Sequence, residues 1–320
     1  MSVAVVVPFL NRYESFRRLV NSIENQTHSI SELFIVDNGS KFEQVEYVFD
    51  VITNGSFENI DNIFLVSSLT PFNGNKARNT GLDMARSRYV AFLDSDDWWE
   101  PFHIESSIRE LESANNNQAA VFSGAFVHDG KNQVHEIKSR SLFVNENPID
   151  FLNSKNCIAQ TSSYVINRAK LNRDVRWDET LSRHQDFDFF ISVQMLSNGW
   201  LFKKTTTTHI DWRPSDFKSK IKKFDFIFLF YKKWFFLAKN SRKAQLNLLL
   251  LLLINKAKYS IADSDLNRSL YILRSLVSHS DRSFALRCLL LLLINVGFYP
   301  SVFFVRLLLG IRNKILNRDN

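Results

Sequence analysis

Several clusters of acidic, basic and amide side chains in this chain have types and spacings suited to chemistry. The densest is Asp94-Ser95-Asp96-Asp97, which runs into Trp98-Trp99. One small residue separates Asp94 from Asp96. At the end of a strand that spacing lets two carboxylates reach one divalent cation, and carboxylate and phosphate oxygens are what Mg²⁺ or Mn²⁺ prefers. Alone, the quartet is equally well read as a charged turn after a core strand. Asp37, in Val36-Asp-Asn-Gly-Ser40, can accept hydrogen bonds from a nucleobase or ribose, or form the Asx turn that Asp-Asn-Gly favours. Asn75-Lys76-Ala-Arg78-Asn79-Thr-Gly81 joins basic side chains to a helix start, which suits a diphosphate; the alternative is a solvated helix face. Pro8-Phe9-Leu10-Asn11-Arg12 is another polar run where an apolar segment ends.

These clusters need strands to end where they begin. Residues 3–7, 33–36, 63–66 and 89–93 are short unbroken apolar runs, the pattern of parallel strands buried on both faces. Helices are expected between them, over 13–26, 43–51 and 74–87. In the first, Phe16, Leu19, Val20 and Ile23 share one face. Strands alternating with helices predict a parallel sheet with crossover connections. In such sheets ligands bind at the carboxyl ends of the strands, where Asp37 and Asp94 fall. Beyond Asp97 the pattern changes. Helices are expected over 102–114, 148–155, 168–172 and 186–198, strands over 121–123 and 126–127, and an extended run over 161–166. The last of these helices opens on acids, which suits its positive end, and Gly199 supplies a stop.

The 320 residues are 45% hydrophobic and 23% charged, enough for one large domain or two smaller ones. Cys157 and Cys288 are too far apart for metal-ligand spacing, which argues against a disulfide scaffold or zinc site and fits a reducing compartment. The first residues read as a core strand, without the basic start of a signal peptide. Charge is unevenly placed. Residues 1–202 hold 18 Lys and Arg against 26 acids, whereas residues 203–320 hold 22 against 7 Asp and no Glu. The asymmetry predicts an acidic body and a basic tail with different partners.

The ordered set VVVPFLNR, FIVDNGS and NKARNTGLDMARSRYVAFLDSDDWW resembles the nucleotide-sugar glycosyltransferases of family 2. The resemblance covers roughly residues 1–212. It implies a GT-A type fold, a mostly parallel Rossmann-like sheet flanked by helices, in a domain over 1–215. It also implies inverting transfer from a nucleotide diphosphate sugar, UDP-linked by preference, with Mn²⁺ or Mg²⁺ as cofactor. Asp94-Ser95-Asp96 matches the family's DXD motif. On this resemblance Pro8, Asn11, Arg12, Asp37, Lys76, Arg78, Asp94 and Ser95 hold the nucleotide sugar, and Asp96 the metal, with His209 as a second candidate ligand. The family's catalytic base falls on Asp186, with Asp188 as alternative. The acid that usually precedes the base is replaced here by Gln185.

The tail over 216–320 is expected to be an all-α extension. Phe217, Ile221, Phe224, Phe228, Tyr231 and Phe235 repeat at helical spacing among lysines, and residues 248–255 echo 288–295. Basic and aromatic residues together suit an anionic membrane surface, engaged through 216–311. A bundle with a solvated basic exterior, and a span over 288–305, are the alternatives. The charge lacks any nucleic-acid module, so nucleic acid is not expected as a partner. The expectation is a cytoplasmic enzyme, peripheral on the inner face of the membrane, acting on a glycan or lipid-linked acceptor in bacterial surface polysaccharide synthesis. Its rivals are a nucleotidyltransferase, which would want a glycine-rich basic loop after the first strand, and a non-catalytic binding subunit.

Overall fold

The computed structural model describes residues 1–212, except 69–70, 114–116, 131–132 and 155–156, together with 229–231, 233, 234, 241, 244 and 248. The chain divides into two compact units, Met1–Pro214 and Ser215–Asn320. Apart from those few residues, the expected tail helices, the 248–255 and 288–295 echo and the 288–305 stretch lie outside the described residues. No helix among the described residues is long and apolar enough to cross a membrane.

The first unit opens with the expected alternation. Strand β1 (Val3–Phe9) is buried along its whole length. Helix α1 (Tyr13–Glu24) follows and buries Phe16, Leu19, Val20 and Ile23, the face read from the sequence. Then come β2 (Glu32–Asp37), α2 (Phe42–Asn54), β3 (Ile63–Ser67), α3 (Gly74–Met84) and β4 (Tyr89–Phe92). Strands β4, β1, β2 and β3 lie side by side and all parallel. Helix α3 starts on an Asn73 cap, whose side chain accepts from the Lys76 N–H at 3.0 Å. It packs very close to β1. A Cβ on Gly81 would lie 2.4 Å from Val6 Cγ1, so only glycine permits this approach.

The next elements are β5 (Trp98–Trp99), α4 (His103–Glu112), β6 (Ala120–Ser123), β7 (Ala125–His128), β8 (Val134–Ile137), α5 (Pro148–Leu152), β9 (Val165–Asn167), α6 (Gln185–Leu196), β10 (Trp200–Lys203) and β11 (Thr208–Asp211). Strand β9 inserts antiparallel between β4 and β6, giving the large sheet the order β10-β6-β9-β4-β1-β2-β3. A small sheet, β5-β11-β7-β8, stands beside it. The chain passes from one sheet to the other at Gly124, where a Cβ would lie 2.3 Å from the Ile137 carbonyl oxygen.

The helix expected over 168–172 is a single turn. Asn167 Oδ1 accepts from the Ala169 N–H at 3.1 Å. Asn172 then ties the chain to the end of α6, its N–H donating to Ser197 Oγ at 2.9 Å and its Nδ2 to the Leu196 carbonyl at 3.0 Å. Asparagine side chains that capture backbone groups compete with helix propagation.

Candidate active site

The ends of β1, β2 and β4 are in register, Phe9 opposite Asp37 and Val6 opposite Phe92. The polar residues after each strand therefore gather along one edge of the sheet. Asp37 is 1% exposed. Its Oδ1 accepts from the Ser40 N–H and its Oδ2 from Ser67 Oγ, both at 2.9 Å. The Asx turn is thus formed, and each oxygen keeps a further lone pair for a ligand donor. Asn11, at φ +51°, braces this turn: its N–H donates to Ser40 Oγ and its Oδ1 accepts from the Lys41 N–H, both at 2.9 Å. Pro8 is buried within β1 opposite Val36.

From α3, Arg78 reaches the acid loop after β4. Arg78 is 4% exposed and its Nη2 donates to Asp94 Oδ1 in a close ion pair. Its guanidinium carbon also lies 4.7 Å from the Trp177 ring centroid. Neighbouring amides on α3 hold the segment before α6: Asn75 Nδ2 donates to the Asp178 and Leu181 carbonyls at 2.7 Å each, and Asn79 Nδ2 to the Trp177 carbonyl at 2.9 Å. Lys76 is exposed, with its amine 5.4 Å from the Phe72 ring centroid.

The acid loop is fixed from several sides. The Asp94 N–H donates to Ser162 Oγ at 3.1 Å, and Ser162 Oγ donates in turn to Asp97 Oδ2 at 2.5 Å. Asp97 Oδ1 accepts from the Asp211 N–H at 3.0 Å. Ser15 Oγ donates to the Ser95 carbonyl at 2.7 Å, and Ser95 itself is buried. Asp96 keeps solvent access at its carboxylate, where Arg12 approaches to 3.5 Å. Burial, then the charge of Asp94, raise the Asp96 pKa, and Arg12 pulls it back. Asp97 is raised further, by burial and then by Asp96 and Asp94.

Helix α6 brings Asp186 to this group. Burial pushes its carboxyl up to about 6, the Phe187 N–H bond opposes that, and the Asp94 charge adds to it. Part of the residue stays accessible. Asp188, the alternative base, is fully buried. His209 lies in the small sheet, with Nε2 2.8 Å from Glu100 Oε1 and Nδ1 3.0 Å from His128 Nε2. Both ring nitrogens are engaged within the protein, and its ring stacks on Trp98 with centroids 5.0 Å apart.

Among the described residues no three His, Cys, Asp or Glu side chains converge as a closed metal cage. The donor set suits a hard cation of the Mg²⁺ or Mn²⁺ kind, which uses one or two carboxylates and takes remaining ligands from phosphate and water. Asp96 fits that role, as a carboxylate in this loop that keeps solvent access. Residue-type spacing gave no sign of Ser162 or Arg18, since their loop partners lie 68 and 78 residues away.

A mostly parallel sheet flanked by helices, with these groups along its carboxyl edge, defines an α/β domain of the GT-A type. Residues 4–175 match the model of Glycosyl transferase family 2. That is more than half of the chain, and the chain belongs to this family, which sets aside the nucleotidyltransferase alternative. It is 28% identical over 199 residues to the amylovoran biosynthesis glycosyltransferase AmsB of Erwinia amylovora, a match covering 61% of this chain and 65% of the relative. It is 35% identical over 107 residues to the putative teichuronic acid biosynthesis glycosyltransferase TuaG of Bacillus subtilis, 33% of this chain and 40% of the relative. The matches therefore span less than two thirds of these relatives. Among solved structures, TarS 1-349 of S. aureus in complex with UDP-GlcNAc superposes with a TM-score of 0.62 at 14% identity, covering 87% of this chain and 81% of that one. The mannosyltransferase PcManGT from Pyrobaculum calidifontis, in complex with GDP-Man and Mn²⁺, gives 0.58 at 15% identity, over 99% and 87%.

Proposed function

We propose that this chain transfers a sugar from a nucleotide diphosphate donor, UDP-linked by preference, to a hydroxyl of a glycan or lipid-linked glycan, with inversion at the anomeric carbon. One observation carries the reading. Burial first, and then the charge of Asp94 from 92 residues earlier in the chain, hold the Asp186 carboxyl up at about 6. A base poised near the working pH is what general-base catalysis needs. As the acceptor oxygen bonds to the anomeric carbon, its proton passes to Asp186. The bond from that carbon to the diphosphate oxygen breaks with its electron pair. Arg78 and Asp94 orient the donor, Asp37 and Asn11 form its nucleoside end, and Lys76 and Arg12 lie on its phosphate side. A divalent cation held by Asp96 and the diphosphate would offset charge building on the leaving group.

The test is Asp186→Asn in the full chain. A screen of nucleotide sugars for Mn²⁺-dependent thermal stabilisation first identifies the donor. The variant is expected to bind that donor with unchanged affinity and to transfer at least 100-fold more slowly, on the order of a general-base contribution. Transfer near the wild-type rate would place the base elsewhere. Synthesis of bacterial surface polysaccharide, on the cytoplasmic face of the membrane, is the setting supported by the relatives' names and by the basic tail. Replacing Lys218, Lys220, Lys222, Lys223, Lys232 and Lys233 with Gln is expected to reduce sedimentation with anionic vesicles; unaltered sedimentation would dismiss the membrane reading.

A further inference from the structure

Helix α1 does more than bury its apolar face. Ser15 and Arg18, three residues apart and hence neighbours on one helical face, each donate to a main-chain carbonyl of the acid loop. Ser15 Oγ reaches the Ser95 carbonyl at 2.7 Å and Arg18 Nη2 the Asp96 carbonyl at 2.9 Å. Consecutive carbonyls are thus held by successive turns of one helix. Arg18 is itself held in place. Its Nη2 is 3.3 Å from Asp211 Oδ2, a carboxylate whose side chain is only 8% exposed. Its guanidinium carbon lies 3.8 Å from the centroid of the Trp98 ring. Trp98 lies parallel to His209, with 4° between the rings, and His209 stacks on Phe126 with centroids 4.9 Å apart. The Asp211 N–H meanwhile donates to Asp97 Oδ1. Arg18, Asp96, Asp97 and Asp211 therefore close a ring of contacts around the loop.

We propose that Arg18 is a positioning residue for Asp96, holding its carbonyl so that the carboxylate leaves the chain from one fixed backbone geometry. The inference rests on the reading that Asp96 holds a cation with the donor diphosphate. The carbonyl and the carboxylate share one Cα, so fixing the first leaves only side-chain rotation to the second. A planar guanidinium suits this task, because it can stack and donate together, which an ammonium cannot. The division between two arginines supports it. Arg12 approaches the Asp96 carboxylate itself, at 3.5 Å with its side chain 58% exposed, and answers its charge. Arg18 spends its own charge on Asp211 and answers the backbone.

The experiment measures UDP binding by calorimetry, with and without Mn²⁺, on the full chain and on Arg18→Met, Arg18→Lys and Asp96→Ala. Arg18→Met is expected to weaken Mn²⁺-dependent UDP binding about tenfold, the scale of a charge-assisted hydrogen bond, and to leave metal-free UDP binding unchanged. Arg18→Lys is expected to fall between Met and wild type, and millimolar methylguanidinium to restore part of the Met variant's affinity. Folded Met and Lys variants that both bind as wild type overturn the proposal. An equal loss with and without Mn²⁺ also overturns it, because that is a general structural effect. Asp96→Ala separates the two readings. If it removes the Mn²⁺ dependence while the Arg18 variants do not, only the positioning role falls. If it leaves the dependence intact, the cation role of Asp96 falls and the positioning role with it.

Discussion

Replacing Asp186 by Asn should damage catalysis and strengthen the fold together. The ordinary aspartate pKa is 3.8, and burial and the neighbouring Asp94 hold this one at about 6. At about 1.4 kcal/mol per pH unit, that difference corresponds to about 3 kcal/mol of disfavoured charge. Asp186 keeps partial solvent contact, so screening reduces the expected gain to about 1–2 kcal/mol. The sign follows from proton counts. Between pH 4 and 6 the folded state holds a proton that the unfolded state has lost. Stability from this group is therefore full below pH 4 and disappears as pH rises through 6. Asn carries no charge at any pH and its Oδ1 can still accept from the Phe187 N–H, which Asp186 Oδ1 meets at 3.0 Å. The variant should match wild type near pH 4 and exceed it above pH 7, by about 2–8 °C in melting temperature. Thermal melts at pH 4, 5, 6 and 8 read this directly. A variant less stable than wild type at pH 8, or a difference that does not grow between pH 4 and 7, would refute the reasoning from buried charge. Wild-type transfer should rise with pH to a plateau with a midpoint near 6, as the base loses its proton.

Ser162→Ala removes the hydroxyl that joins the Asp94 N–H to Asp97 Oδ2. It should cost about 1–3 kcal/mol in urea unfolding, whereas Ser162→Thr, which keeps the hydroxyl, should cost less; equal losses would dismiss the hydrogen bonds as the cause. Gly81→Ala places a Cβ 2.4 Å from Val6 Cγ1. The overpacking should cost about 1–3 kcal/mol, while Val6→Ala in the same chain should recover part of the loss; additive effects of the two changes would contradict the clash.

The first half of the fold was legible because parallel strands buried on both faces leave unbroken apolar runs, and α1 declares its core face through Phe16, Leu19, Val20 and Ile23. Of the small sheet only β7 was, as the strand expected over 126–127. Strand β11 contains Thr208, His209 and Asp211, a polar string with no strand period, and it pairs with β5 and β7 from more than 80 residues away. Likewise nothing local tells β9 to insert antiparallel between β4 and β6. The single turn at 168–172 was misread because Asn172 is drawn off to partners at the end of α6. Asp37, Asp94 and Asp96 were legible as acids at strand ends, but Asp186 needed the family resemblance. His209, a second candidate ligand on the resemblance, has its ring nitrogens against Glu100 and His128.

The geometry also revises what Asp94-Ser-Asp96-Asp97 means as a quartet. Read as spacing, Asp94 and Asp96 looked like two equal arms around one cation. In the folded chain they differ. Asp94 is committed to Arg78, whose side chain is only 5% exposed. Asp97 is committed to Ser162 and to the Asp211 N–H, and is itself only 5% exposed. The two flanking acids therefore fasten the loop, and among the described residues the Asp96 carboxylate between them makes an ion pair with Arg12, across 3.5 Å. Burial, and then repulsion from Asp94, raise the pKa of Asp96, an unfavourable arrangement that a stability-driven sequence would relax by exchanging one acid for an amide. The fastenings from α1, α3, β11 and the Ser162 turn oppose that repulsion from four directions. On the proposed reading, that is why a loop of four residues draws on side chains from almost the whole length of the first unit.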